Sequence, residues 1–151
     1  MTTASNSQIT RASIVSTARS YLGTPFQHQG RLKGVGVDCV GLLIGIAREL
    51  GVCDVDYTAY RRRENGAILM EMLETHLVRK TNPESLQPGD VLAMRMRVPQ
   101  HAAIVSEVFP DGTIQIVHAL DTGVVEHRLD SRWAARICGV FEIPGVTDDR
   151  T

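Results

Sequence analysis

The stretch Gly34-Val35-Gly36-Val37-Asp38-Cys39-Val40-Gly41-Leu42 decides how this chain is read. A glycine-rich loop runs into Asp38-Cys39, and an apolar segment of helix length follows from Val40 to Leu50. Cys39 then stands at or beside a helix N-terminus. Backbone N–H groups and the positive end of the helix dipole there favour a thiolate over the thiol. The position predicts a thiol pKa below the ~8.5 of a free cysteine. It is the placement that a cysteine nucleophile needs.

Working outward, the helix after Cys39 has apolar residues at 40, 43, 44 and 47 and also at 42, 46 and 50. That is apolar nearly all round, which predicts a central, buried helix, stopped by Gly51. On its N-terminal side, Ile14, Val15, Ala18, Tyr21 and Leu22 recur at helical spacing over Thr10 to Leu22, with Thr10 or Ser13 as cap and Gly23 and Pro25 as the stop. On its C-terminal side, Cys53 to Arg63 reads as a connection and Gly66 to Val78 as an amphipathic helix. From Pro88-Gly89-Asp90 onward the period changes. Segments 91–96, 102–108, 113–118, 123–127 and 138–143 have strand character, and Pro110-Asp111-Gly112 and Asp121-Thr122-Gly123 separate them as turns. Residues 130–136 suit a helical turn. Spacings this short favour antiparallel hairpins. Helices first and strands afterwards predict an α+β domain, with N-terminal helices packed on a C-terminal antiparallel sheet. We expect one domain over 1–151, with loose tails at 1–8 and 145–151.

Composition narrows the classes. The chain is 43% hydrophobic and 22% charged with a formal net charge of −1. A nucleic-acid binder would normally carry a basic excess, so nucleic acid is not an expected partner. No run approaches the ~18 apolar residues of a membrane span, and none of the first ten residues forms the basic-then-apolar pattern of a secretory signal. Three widely spaced cysteines, Cys39, Cys53 and Cys138, make no disulfide framework. Synthesis in a reducing cytoplasm is expected. Arg61-Arg62-Arg63 reads as a solvated loop or, alternatively, as a contact for an anionic polymer or a protein.

A cysteine nucleophile requires a base, and a third polar group to orient that base. His101 opens one predicted strand and His118 closes the next. If the two pair through the 110–112 turn, the rings become neighbours at one rim of the sheet. His127, on a further strand of the same sheet, is a weaker candidate. Cys53, Cys138, His28 and His76 have no companion features and read as structural or surface residues. Zinc is the competing chemistry for Cys39, His101, His118 and His127. The chain lacks the close Cys-x-x-Cys or His-Glu-x-x-His pairs that mark such sites, so no metal or other cofactor is expected.

Several motifs in order resemble the NlpC-type cell-wall peptidases, papain-like cysteine enzymes that cut peptidoglycan stem peptides. Gly23-Thr24-Pro25-Phe26 resembles the family's Gly-Thr-Pro-Tyr, and Asp38-Cys39-Val40-Gly41 its Asp-Cys-Ser-Gly. Leu86-Gln87-Pro88-Gly89-Asp90 is similar to its Leu-x-Pro-Gly-Asp, His101-Ala102-Ala103-Ile104 to its His-Val-Gly-Ile, and His118-Ala119 to its closing His-Ala. The 33–39 loop and the ending from Trp133 to Pro144 resemble the subgroup carried in phage tails and gene-transfer-agent particles.

The resemblance implies a papain-like fold with Cys39 as nucleophile, His101 as base and then acid, and His118 orienting His101. It implies that Asp38, Phe26 and Gly36 line the substrate, with Asp38 meeting the free amine of the stem peptide. The bond implied is the γ-D-glutamyl-diaminopimelate amide. The partners implied are peptidoglycan and phage-tail hub or tip proteins, with a virion tail delivering the enzyme to the wall. Two residues depart from the pattern. Val40 replaces a serine, and Phe26 replaces a tyrosine whose hydroxyl the family uses near the site. Losing one oxyanion donor costs on the order of 100- to 1000-fold in rate. A structural tail-tip protein with the same fold is therefore the first alternative, and an amidase or acyltransferase on another substrate the second.

Overall fold

The computed structural model describes residues 9–52, 56, 65–96 and 101–147. Helix α1 spans Arg11–Arg19, α2 Cys39–Glu49, α3 Asn65–His76 and α4 Ser131–Ala134. Strands β1 (Arg31–Leu32) and β2 (Gly36–Val37) form a small hairpin ahead of α2. The main sheet contains β3 (Val78–Arg79), β4 (Val91–Met94), β5 (His101–Val108), β6 (Ile114–Leu120), β7 (Gly123–Arg128) and β8 (Ile137–Glu142). Its order is β3-β8-β4-β5-β6-β7, with neighbouring strands antiparallel. This is the α+β arrangement expected from the change of period.

The starts of α1 and α2 have local causes. Thr10 caps α1 by accepting from the Ser13 N–H, and Ser13 returns the bond to the Thr10 N–H, so both expected caps act as one capping box. The helix ends at Arg19, three residues before the expected Leu22. Asp38 caps α2, and its carboxylate accepts from the Gly41 N–H at 2.8 Å. The α2 helix lies in the core over β5 and β6, as its all-round apolar pattern predicts.

Alternation along the strands separates two apolar layers. Val91, Ala93, Ala102, Ile104, Val117 and Ala119 pack with the helices. Leu92, Met94, Ala103, Val105, Ile116 and Val140 face the opposite side, where Trp133 of α4 and Leu129 cover them. The sheet is thus covered on both faces, with the longer helices on one and α4 with its flanking chain on the other.

Asp90 of the Pro-Gly-Asp turn is fully buried. It accepts from Arg11 Nη1 at 3.0 Å, Lys80 Nζ at 2.8 Å and the Gln87 N–H at 2.8 Å. Arg11 also reaches Glu142 on β8. One buried carboxylate therefore ties α1, the segment after β3 and the entry to β4 together.

The C-terminal segment differs from expectation at its start. The Thr147 N–H donates to the Ile9 carbonyl at 2.9 Å, and Val146 packs against the core, so residues 145–147 belong to the fold rather than to a loose tail. The expected N-terminal tail, Cys53 and the Arg61-Arg62-Arg63 run lie outside the described residues. No helix among the described residues is long and apolar enough to cross a membrane.

Candidate active site

Cys39 is the first residue of α2 and is buried. The β1–β2 hairpin delivers it. The Val37 N–H donates to the Pro25 carbonyl at 3.0 Å and the Gln27 N–H to the Val37 carbonyl at 3.1 Å, so Phe26 bridges beside the strand feeding Asp38-Cys39. Phe26 is half-buried there.

The glycines of this region allow close backbone approach. A Cβ on Gly41 would stand 2.0 Å from the Gly30 carbonyl oxygen, and one on Gly36 would stand 2.6 Å from the Gln27 Cβ. Gly36, which the resemblance places at the substrate, has this packing reason to be glycine.

Asp38 is buried and holds a dense set of donors. Beyond the Gly41 cap, the Gln29 N–H donates to Oδ2 at 2.8 Å and Arg31 Nη1 lies 3.3 Å from Oδ1. Arg31 in turn pairs with Asp56 at 2.8 Å. The resemblance implies a substrate role for Asp38. In the fold it also builds the helix start on which Cys39 sits.

His101 opens β5 opposite Met94, and His118 lies near the end of β6. Ile104 pairs with Val117, so continuing the register sets His118 opposite Ala103, diagonal to His101 on one face. The rings meet: His101 Nε2 lies 2.8 Å from His118 Nδ1. The two rings are neighbours, as a hairpin through the 110–112 turn predicts, and β6 runs two residues past His118. The chain of rings continues to His127, whose Nε2 lies 2.7 Å from His118 Nε2.

The electrostatics differ from expectation at the thiol. Burial pushes Cys39 up to about 12, and the negative charge of Asp38 adds to the rise. Backbone N–H groups of Ala102, Val40 and Cys39 itself pull the other way without prevailing. The expected pKa below the free-thiol value is therefore overturned. The helix start is real, but the sulfur there is dry and faces an anion. The Ala102 interaction places the sulfur at the residue directly after His101.

Burial also lowers His101 to about 4, against the opposing pull of Asp121, and lowers His118 to about 3 with help from the neighbouring imidazoles. Cys39 and His101 thus rest as neutral thiol and neutral imidazole. A thiolate forms as its proton passes to a base, which is general-base activation rather than a standing ion pair.

The three rings form a chain and do not converge. His118 spends one nitrogen on each neighbour, so the set has no common point where a metal ion would sit. Among the described residues, no three His, Cys, Asp or Glu side chains are placed so that they could hold a metal ion together. Cys138 is exposed on β8, and His76 ends α3.

The arrangement of helices and sheet is similar to that of solved structures. An NLP/P60-family protein from Staphylococcus aureus subsp. aureus Mu50, described as similar to lipoprotein, matches with a TM-score of 0.60 at 17% identity, over 91% of this chain and 44% of that one. The NlpC/p60 domain of the peptidoglycan hydrolase SagA matches with a TM-score of 0.59 at 21% identity, over 89% of this chain and 100% of that domain. This chain spans less than half of the staphylococcal protein. No protein-family model and no curated protein sequence matches the chain. The fold is that of the NlpC/P60 domains.

Proposed function

We propose that this protein is a cysteine peptidase that hydrolyses peptidoglycan stem peptides, and that a phage or phage-like tail carries it to the cell wall. The observation that carries the reading is the joint placement of Cys39 at the start of α2, with its sulfur at the Ala102 N–H, and of His101 hydrogen-bonded to His118. The likeness to the domain of a peptidoglycan hydrolase supports the substrate class. The Lys33 to Cys39 loop and the Trp133 to Pro144 ending support the tail subgroup, and with it contacts to hub or tip proteins and cytoplasmic synthesis before packaging.

In this mechanism the Cys39 sulfur attacks the carbonyl of the γ-D-glutamyl-diaminopimelate amide while His101 takes the thiol proton. The amide C–N bond then breaks, His101 returns the proton to the leaving amine, and an acyl-enzyme thioester remains. Water, deprotonated by His101, attacks the thioester, the C–S bond breaks to release the glutamyl carboxylate, and His101 returns its proton to the Cys39 sulfur. His118 orients His101 throughout. Asp38 meets the substrate's free ammonium, which would take over from Arg31, whose Nη1 lies 3.3 Å from Oδ1.

Phe26 favours a second reading, a structural tail-tip protein of the same fold with weak hydrolysis. Mass spectrometry of sacculi digested with wild type beside Cys39→Ala separates the two. The peptidase reading expects fragments cut at the γ-D-glutamyl bond from wild type alone. Sacculi left intact by wild type would favour the structural reading.

A further inference from the structure

The hydrogen-bonded rings end on a backbone atom. His127 Nδ1 lies 2.8 Å from the carbonyl oxygen of Arg128. A carbonyl oxygen only accepts, so neutral His127 carries its proton on Nδ1 and offers a lone pair at Nε2. His118 must then donate from Nε2 across the 2.7 Å contact, which leaves its Nδ1 as an acceptor. His101 must in turn donate from Nε2 across 2.8 Å, and its Nδ1 becomes its one basic nitrogen. A single peptide carbonyl thus sets three tautomers in series.

Trp133 closes the chain from outside. Its ring stands edge-to-face on His118 at 4.9 Å and tilted against His127 at 5.4 Å. His101 and His118 are buried, whereas His127 is half-buried. A positive charge is therefore better solvated at the outer end of the chain than at either inner ring. Among the described residues, Asp121 acts on His101 through its charge, and the Arg136 guanidinium lies 5.5 Å from the Trp133 ring centre.

Resting on the cysteine-peptidase reading, we propose that His127 is a positioning residue that holds His101 in the tautomer able to deprotonate Cys39 and then receives the resulting charge. The S–H bond of Cys39 breaks as Nδ1–H forms on His101. The Nε2 proton of His101 moves to Nδ1 of His118, and the Nε2 proton of His118 moves to Nε2 of His127. The products are a thiolate, two neutral inner imidazoles and an imidazolium at His127, with no proton lost. Running the steps backward returns a proton to the leaving amine. The nucleophile is thereby activated without leaving a cation on either buried ring.

The test is long-range proton–nitrogen NMR of the imidazoles in ¹⁵N-labelled full-length wild type, His127→Gln and His127→Phe at neutral pH. Turnover of a soluble stem tetrapeptide is measured beside it. Wild type should show protons on Nε2 of His101, Nε2 of His118 and Nδ1 of His127. His127→Gln should keep both inner tautomers, because its amide oxygen accepts from His118, yet lose kcat because it takes up no proton. His127→Phe should mix the inner tautomers and lower kcat at least about 10-fold at unchanged KM, in the direction of the ~10⁴-fold cost of a wrong tautomer in a serine protease.

A proton on Nδ1 of His118 in wild type overturns the proposal, as do inner-ring spectra identical in wild type and a folded His127→Phe. Should His127→Phe not fold, the wild-type spectrum decides the tautomers and unchanged kcat in His127→Gln overturns the charge transfer. The spectra need no substrate, so a wild type that cleaves nothing refutes the peptidase reading separately.

Discussion

In an unfolded chain His101 and His118 titrate near pH ~6.5, whereas burial in the fold holds them down to about 4 and about 3. Between those limits the unfolded state binds protons that the folded state refuses, so stability is fully present above pH ~6.5 and falls as pH falls. At pH 5 the unfolded rings lie ~1.5 pH units below their midpoint. At ~1.4 kcal/mol per unit, each ring then takes away about 2 kcal/mol. The sum of about 4 kcal/mol hardly depends on where the folded values lie, provided that both stay below ~5.

Against a typical total of about 5–15 kcal/mol the loss is large. Urea unfolding at pH 7 and pH 5 measures it, and with an m-value of ~2 kcal/mol/M the midpoint should drop by about 2 M. Free carboxylates titrate mainly below this window. His118→Leu should roughly halve the pH-dependent part, whatever it does to absolute stability. A loss under about 1 kcal/mol between the two pH values would refute the claim that these rings are buried neutral.

Cys39 should behave as a thiol at rest. Its iodoacetamide labelling, resolved from Cys53 and Cys138 by peptide mapping, should rise about tenfold per pH unit from ~7 to ~9 because only the thiolate reacts. A plateau at neutral pH would show a standing thiolate and refute it. Asp90→Asn leaves Arg11 and Lys80 without their shared buried carboxylate and should cost about 3–5 kcal/mol in urea unfolding, and a cost under ~1 kcal/mol would show that the network is dispensable.

Much of this fold is legible in the residues, for identifiable reasons. The all-round apolar run after Cys39 can only be a core helix, and the turn at 110–112 leaves few registers for its strands, so His101 and His118 met as expected. The β1–β2 hairpin and β3 were not readable, because two-residue strands have no period. The tie between Thr147 and Ile9 is a backbone bond that no side chain announces. His127 was within reach. The same hairpin logic, carried across the Asp121-Thr122-Gly123 turn, pairs His118 with Val125 and leaves residue 127 diagonal to His118 on the same face.

The thiol shows where local rules conflict. A helix start favours an anion because its N–H groups are unpaired. Here the residue that makes the start is itself an anion: Asp38 takes up the Gly41 N–H with its carboxylate and presents its charge to the sulfur. The cap that aims Cys39 therefore also opposes its ionisation, and burial opposes it further. What the helix does not supply, a base must. A nucleophile positioned in this way depends on the basicity of His101, and that basicity depends on which nitrogen carries the proton. Control of the site therefore passes from the helix that holds the sulfur to the strands that hold the three histidines.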